Sequence, residues 1–126
     1  MVVVDTSAWI EWLRNGPLTP ELAQRIPGRA ACIVPTIVQL ELTKWLRRER
    51  GEEAADDMLA YTRKCIVADL DSALAAQAAE ACRTHRLATA DAIVFATAER
   101  HGAALLTCDA HFDGLPRVLL VRKALA

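Results

Sequence analysis

The segment Val2-Val3-Val4-Asp5-Thr6-Ser7 constrains the fold more than any other stretch of the chain. Three consecutive β-branched residues with no polar residue between them offer no face to water. They read as a strand covered on both sides, the condition of an interior strand in a parallel sheet. The strand then stops on an acid. Open α/β sheets carry their chemistry just beyond the carboxyl ends of strands, which is where Asp5 falls. Thr6 and Ser7 open the helix that follows, and either hydroxyl is placed to cap its first free N–H groups. Alone, Asp5 is equally well explained as a turn residue or an N-cap. The recurrence of acids in comparable places further along the chain weighs against that explanation.

The rest of the chain alternates helices with short apolar strands. Trp9, Ile10, Trp12 and Leu13 recur at helical spacing over Thr6–Arg14, and Asn15-Gly16-Pro17 ends that helix. Pro20 starts a short helix over Glu21–Ile26, closed by Pro27-Gly28. Ala31–Val34 reads as a strand. Thr36–Arg50 is a helix with an apolar stripe of Val38, Leu42, Trp45 and Leu46. After Gly51 come a helix over Glu52–Arg63 and a strand over Cys65–Ala68. An Ala-rich helix over Asp71–His85 follows, capped by Asp71 or Ser72, and then a helix from Thr89 that ends at Gly102. A strand over Ala104–Thr107, a short helix around Asp109–Phe112 and a strand over Val118–Val121 complete the order. Such alternation predicts an α/β fold with a mainly parallel central sheet.

Against that frame, four acids are candidates for chemistry. Glu41 lies one turn from both Ile37 and Trp45 and beside Leu40 and Leu42, on or next to the face its helix should bury. A buried carboxylate needs a partner, a proton or a metal; the alternative is an edge position paired with Lys44 or Arg48. Asp91 stands in the first turn of its helix, where the helix dipole alone favours an acid. Asp109 mirrors Asp5, following the strand Leu105-Leu106-Thr107, with the Thr107 hydroxyl on the same side of the extended chain. Asp113 reads as a turn residue, with an auxiliary ligand as the alternative.

A parallel sheet brings Asp5, Asp109 and the start of the Asp91 helix to one edge. Carboxylates ~5 Å apart repel by roughly 3 kcal/mol per pair at an effective dielectric of ~20, so such a cluster persists with cations between the acids. Oxygen ligands alone suit Mg²⁺ or Mn²⁺ and not zinc. Ions held by carboxylates activate water and stabilise the transition state of phosphodiester hydrolysis.

Composition narrows the classes. Fifteen Lys and Arg against sixteen Asp and Glu give a net charge of −1, without the overall basic footprint of a passive nucleic-acid binder. Cys32, Cys65, Cys82 and Cys108 show no zinc-site spacing and read as free thiols, with Cys108 set apart by its place beside Asp109. The apolar runs fall far short of the ~20 residues that cross a bilayer. No basic region precedes the first strand, and Asp5 interrupts it, so no signal peptide is expected and a cytoplasmic location is. At 126 residues, 53% of them hydrophobic, the chain is expected to be one domain, residues 1–126.

These features together resemble a PIN-domain protein of the VapC toxin type. The carriers are Val3-Val4-Asp5-Thr6-Ser7, Glu41 inside an apolar helix, Leu87-Ala88-Thr89-Ala90-Asp91-Ala92, and the run from Leu105 to Phe112. Each motif is short, but all occur in order over essentially the whole length. The resemblance implies a three-layer sandwich around a sheet of four or five strands. It implies a Mg²⁺- or Mn²⁺-dependent endoribonuclease with Asp5, Glu41, Asp91 and Asp109 at the metal and Ser7 and Thr107 as supporting hydroxyls. It further implies a homodimer, inhibited by a cognate antitoxin lying in a groove that Trp9, Trp12 and Leu13 could line; ordinary core is the alternative for the tryptophans. Arg14, Lys44, Arg47, Arg48 and Arg86 are candidate RNA contacts on the rim, against the alternative of a solvated helix face. Cys108 occupies a position often basic in relatives.

Other classes leave discriminating marks. A receiver-type phosphorylation module wants a second acid beside Asp5 and a lysine in the right context after a late strand. Here there is no second acid, and Lys123 lacks that context. A catalytically inactive PIN-like module binding RNA or protein, and a DNA nuclease of related fold, would share the acids' placement.

Overall fold

The computed structural model describes residues 1–122, and Lys123 lies outside them. The chain order is β1 (Val2–Val4), α1 (Thr6–Leu13), α2 (Thr19–Arg25), β2 (Cys32–Pro35), α3 (Thr36–Arg50), α4 (Glu52–Arg63), β3 (Ile66–Ala68), α5 (Ser72–His85), α6 (Thr89–His101), β4 (Ala104–Thr107) and β5 (Val118–Leu120). Single 3-10 turns at Arg29–Ala31 and Ala110–Phe112 precede β2 and follow β4. The five strands form one parallel sheet in the order β3-β2-β1-β4-β5. This is the expected α/β architecture of a parallel sheet flanked by helices. Among the described residues, no helix is long and apolar enough to cross a membrane.

The valine run is the central strand. Val3 pairs with Ile33 on one side and Leu105 on the other, and Val3 and Val4 are fully buried. The right-handed crossover rule assigns α1 to α4 to one face of the sheet and α5 and α6 to the other. The packing agrees: α1 lies against α2 and α3, α3 against α4, and α5 against α6, with α6 crossing β1, β2 and β4. Seven consecutive residues of α6, Ala92–Ala98, are buried, because the sheet covers one side of this helix and α5 another. Trp9, Phe112, Leu22, Ile33 and Leu105 fill the rest of the core.

Several local readings change: α2 begins at Thr19 and ends at Arg25, and β2 takes in Pro35 while Ala31 belongs to the 3-10 turn before it. Neither Thr6 nor Ser7 caps α1; Asp5 holds the N-cap position and no side chain accepts from the helix N–H groups there. All three polar side chains are instead turned to the sheet edge. At α5 and α6 the capping is as the sequence suggests. Asp71 Oδ1 accepts from Leu74 N at 2.8 Å, and Gly102 closes α6 in the left-handed region, φ 58°. Val121 falls just outside β5, its N–H donating to Thr107 O at 2.9 Å.

Candidate metal centre

The order β3-β2-β1-β4-β5 changes direction between β1 and β4, since the chain moves outward from β1 through β2 and β3 and later from β4 to β5. That is the switch point where open α/β sheets form a crevice. Asp5 leaves β1 there and Asp109 follows β4 by two residues.

Asp5 is a carboxylate with only 5% exposure. Its Oδ2 accepts from Ser7 Oγ at 2.7 Å and from Thr107 Oγ1 at 2.9 Å. Both hydroxyl protons are thereby committed, so the 3.1 Å approach of Ser7 Oγ to Thr107 Oγ1 is contact between acceptors. The two hydroxyl oxygens accept in turn: Ser7 Oγ from Cys108 N and Thr107 Oγ1 from Asp109 N, each at 3.0 Å. The network stitches the end of β1 to the end of β4 and leaves Asp5 Oδ1 free of both hydroxyls. Burial pushes the Asp5 carboxyl up, against the lowering effect of the Ser7 and Thr107 hydrogen bonds and with a smaller rise from the Glu41 charge.

Glu41, half-buried on α3, accepts from Thr6 Oγ1 at 2.7 Å. It makes no ion pair with Lys44 or Arg48; the latter pairs with Glu49 at 3.1 Å. Asp91 sits in the first turn of α6. Its carboxyl is pushed up to about 6, first by burial, then by the charges of Asp109 and Asp5, with a smaller rise from Glu41 and an opposing effect from His111. Asp91 therefore feels the charges of the other three acids, and burial first, then those charges, bias it toward the protonated form.

Asp109 Oδ1 accepts from His111 N at 2.9 Å, holding the 3-10 turn that follows. His111 was not singled out from the sequence. The available signal was its spacing, two residues after an acid that ends a strand. Asp113 stands apart from the cluster, exposed and paired with Arg122 at 2.9 Å.

An unpaired buried carboxylate and mutually repelling acids are costly unless a cation lies among them. Among the described residues, ligand atoms of Asp91, Asp109 and His111 come within 4.8 Å of one another. Asp5 and Glu41 lie near enough for their charges to be felt at Asp91, so the oxygen donors at hand suit a hard divalent ion, and no cysteine takes part. All four cysteines are free, with the Cys108 thiol pushed up to about 11 chiefly by burial and Cys32 to about 12 likewise. Thiols held protonated in this way are poor metal ligands.

Away from the acids, Trp12 and Leu13 of α1, Leu46 and Arg50 of α3, and Met58 and Tyr61 of α4 line an open, mostly apolar groove of about 300 Å³. Trp9 is fully buried beneath it, edge-on to Trp12 at 5.9 Å and to Tyr61 at 6.3 Å. It is core, and the groove's aromatic surface belongs to Trp12 and Tyr61. Of the rim cations, Arg14 pairs with Glu11 and lies 5.9 Å over Trp45, and Arg47 pairs with Glu52. Lys44 and Arg86 have no ion pair among the described residues.

No curated protein matches the chain. Solved structures share its fold. A chain of a toxin–antitoxin complex from Klebsiella pneumoniae superposes with a TM-score of 0.80 at 19% identity, covering 94% of this chain and 96% of that one. VapC20 from Mycobacterium tuberculosis, a sarcin–ricin loop cleaving toxin, gives 0.74 at 20% identity, covering 92% and 95%. A chain of DNA-bound VapBC from Salmonella typhimurium gives 0.70 at 18% identity, covering 96% of each chain. At these identities the likeness is one of fold. The sequence itself matches the PIN domain model over residues 2–118, which take in all four acids, and the chain belongs to the PIN domain family.

Proposed function

We propose that this chain, taken as a single domain over residues 1–126, is a Mg²⁺- or Mn²⁺-dependent endoribonuclease of the VapC toxin type, neutralised by a cognate antitoxin and acting in the cytoplasm as a homodimer. The observation that carries the reading is Asp5: a carboxylate buried at the switch point, pinned through one oxygen by two hydroxyls, with its charge and those of Asp109 and Glu41 all felt at Asp91. Asp5, Asp91 and Asp109 would hold the ion, with Glu41 as a further ligand or as the group that orients the attacking water. A divalent ion bound there supplies Lewis acidity toward the phosphate and lowers the pKa of water.

The chain's own residues do the positioning. Ser7 and Thr107 fix the Asp5 rotamer and, through their bonds to the Cys108 and Asp109 N–H groups, the start of the loop that carries Asp109. Thr6 fixes Glu41 from the first turn of α1. Burial around Asp5 keeps bulk water from screening the carboxylates, which strengthens their hold on a cation. By family analogy the products carry 5′-phosphate and 3′-hydroxyl ends. Lys44 and Arg86, which have no ion pair among the described residues, would be free to meet an RNA backbone, whereas Arg14, Arg47 and Arg48 are paired with acids. The apolar groove of Trp12, Leu13, Leu46, Met58 and Tyr61 suits the apolar segment of an antitoxin. The toxin–antitoxin complex of the Klebsiella neighbour and the sarcin–ricin loop cleavage by VapC20 are consistent with this reading.

The test is cleavage of a mixed cellular RNA pool by purified protein with Mg²⁺ or Mn²⁺, with EDTA, and with Asp5→Asn. Discrete cuts that vanish in the latter two are expected. RNA left intact in every lane, from protein shown by mass spectrometry to be free of antitoxin, would favour a catalytically inactive RNA- or protein-binding module.

A further inference from the structure

The 3-10 turn after β4 brings a nitrogen donor to the acids. His111 Nδ1 lies 3.1 Å from Asp109 Oδ1 and 3.8 Å from Asp91 Oδ2. One ligand atom from each of the three residues falls within 4.8 Å of the others. Two ligands ~2.1 Å from one ion stand ~3.0 Å apart at right angles and ~4.2 Å apart across it. Both measured spacings to the imidazole fall within those limits. The turn that presents the ring is held at two points: Phe112, the next residue, is fully buried, and the His111 N–H donates to Asp109 Oδ1 at 2.9 Å.

We propose that His111 donates Nδ1 to the divalent ion held by Asp91 and Asp109, and that this nitrogen tilts the site away from Mg²⁺ toward Mn²⁺. The inference rests on the reading of the acids as a metal centre and adds to it the choice of ion. Mg²⁺ is a hard cation that takes oxygen and keeps its waters. Imidazole is a softer donor than carboxylate or water, and a first-row transition ion, even Mn²⁺ at the weak end of that row, accepts it more readily than Mg²⁺ does. A ring that only donates Nδ1–H to Asp109 would produce the same 3.1 Å spacing without touching the ion, so the two arrangements have to be separated by a measurement on the ion itself.

Pulsed electron paramagnetic resonance of Mn²⁺ added to the purified, EDTA-stripped full chain does this. The side chain of His111 is 80% exposed, so His111→Gln leaves the core untouched, and its thermal melt serves as the folding control. The proposal expects ¹⁴N modulation from a coordinated imidazole in the wild type and its loss in His111→Gln. It also expects Mn²⁺ affinity in the variant to fall at least about tenfold, since losing a direct ligand costs no less than losing one of the partners that orient the ligands, with a smaller change for Mg²⁺. Mn²⁺ bound in the wild type without nitrogen modulation would overturn the role of His111 and leave the acidic centre standing. Equal losses of Mn²⁺ and Mg²⁺ affinity would overturn the selectivity. Failure of the wild type to bind Mn²⁺ at all would overturn the acidic centre, and the proposal with it.

Discussion

Asp91 ties the site to pH. Its carboxyl is held up to about 6 by burial and by the neighbouring acids, whereas an aspartate in an unfolded chain titrates near ~3.9. Between those values the folded chain keeps a proton that the unfolded chain has released, so stability falls as pH rises. The favourable contribution of protonated Asp91 is complete below the unfolded value and gone above about 6. Asp5, raised mainly by burial, shifts in the same direction. In chelated protein, Asp91→Asn is therefore expected to exceed the wild type in stability at pH ~7.5 and to match it at pH ~4. Urea unfolding at the two pH values measures this. A stability gain of equal size at both would mean that the charge of Asp91 is not the cause.

At the scale of elements, the site depends on how the ends of β1 and β4 are joined. Thr107 is fully buried, and its hydroxyl donates to Asp5 while accepting from Asp109 N. Thr107→Val keeps the shape and removes both bonds, leaving the Asp109 N–H without that acceptor. A loss of about 1–3 kcal/mol in unfolding free energy is expected, the cost of an unsatisfied buried group. Divalent-ion affinity, read by calorimetric titration, should weaken with it. Unchanged stability and affinity would show that Ser7 alone suffices to organise the edge.

The acids at strand ends were legible in the sequence because a run such as Val2-Val3-Val4 fixes where a central strand stops, and Leu105-Leu106-Thr107 does the same for Asp109. The helix boundaries of Thr36–Arg50 and Glu52–Arg63 were legible from the apolar stripe and from Gly51. What the side chains of Thr6 and Ser7 do was not. Local rules make them caps, but Thr6 meets Glu41 across 35 positions and Ser7 meets Cys108 across 101. Those partners exist only after α1 has packed on α3 and β1 on β4. Trp9 and Trp12 pose the same problem. Both fit one apolar helix face, and only tertiary packing, with α4 bringing Tyr61 edge-on to Trp9, leaves Trp9 in the core and Trp12 at the border of the groove. For Glu41, burial alone left a pairing with Lys44 or Arg48 open, and tertiary packing settled it in favour of Thr6.

Across the whole molecule, the strand order places the reversal of direction between β1 and β4, and three segments far apart in sequence deliver acids to that crevice: Asp5 after β1, Asp91 at the start of α6 and Asp109 after β4. A parallel sheet with helices on both faces buries that edge enough to raise carboxyl pKa values while leaving Asp91 and Asp109 partly open. This combination of burial and crowding is costly without a cation, and it is the physical basis for reading the crevice as a metal centre. Anomalous diffraction at the manganese edge, from crystals grown with Mn²⁺, tests it most directly. A peak among Asp5, Asp91 and Asp109, absent from Asp5→Asn crystals, is the predicted result. Well-ordered crystals with no peak there, or with manganese bound only elsewhere on the surface, would contradict it.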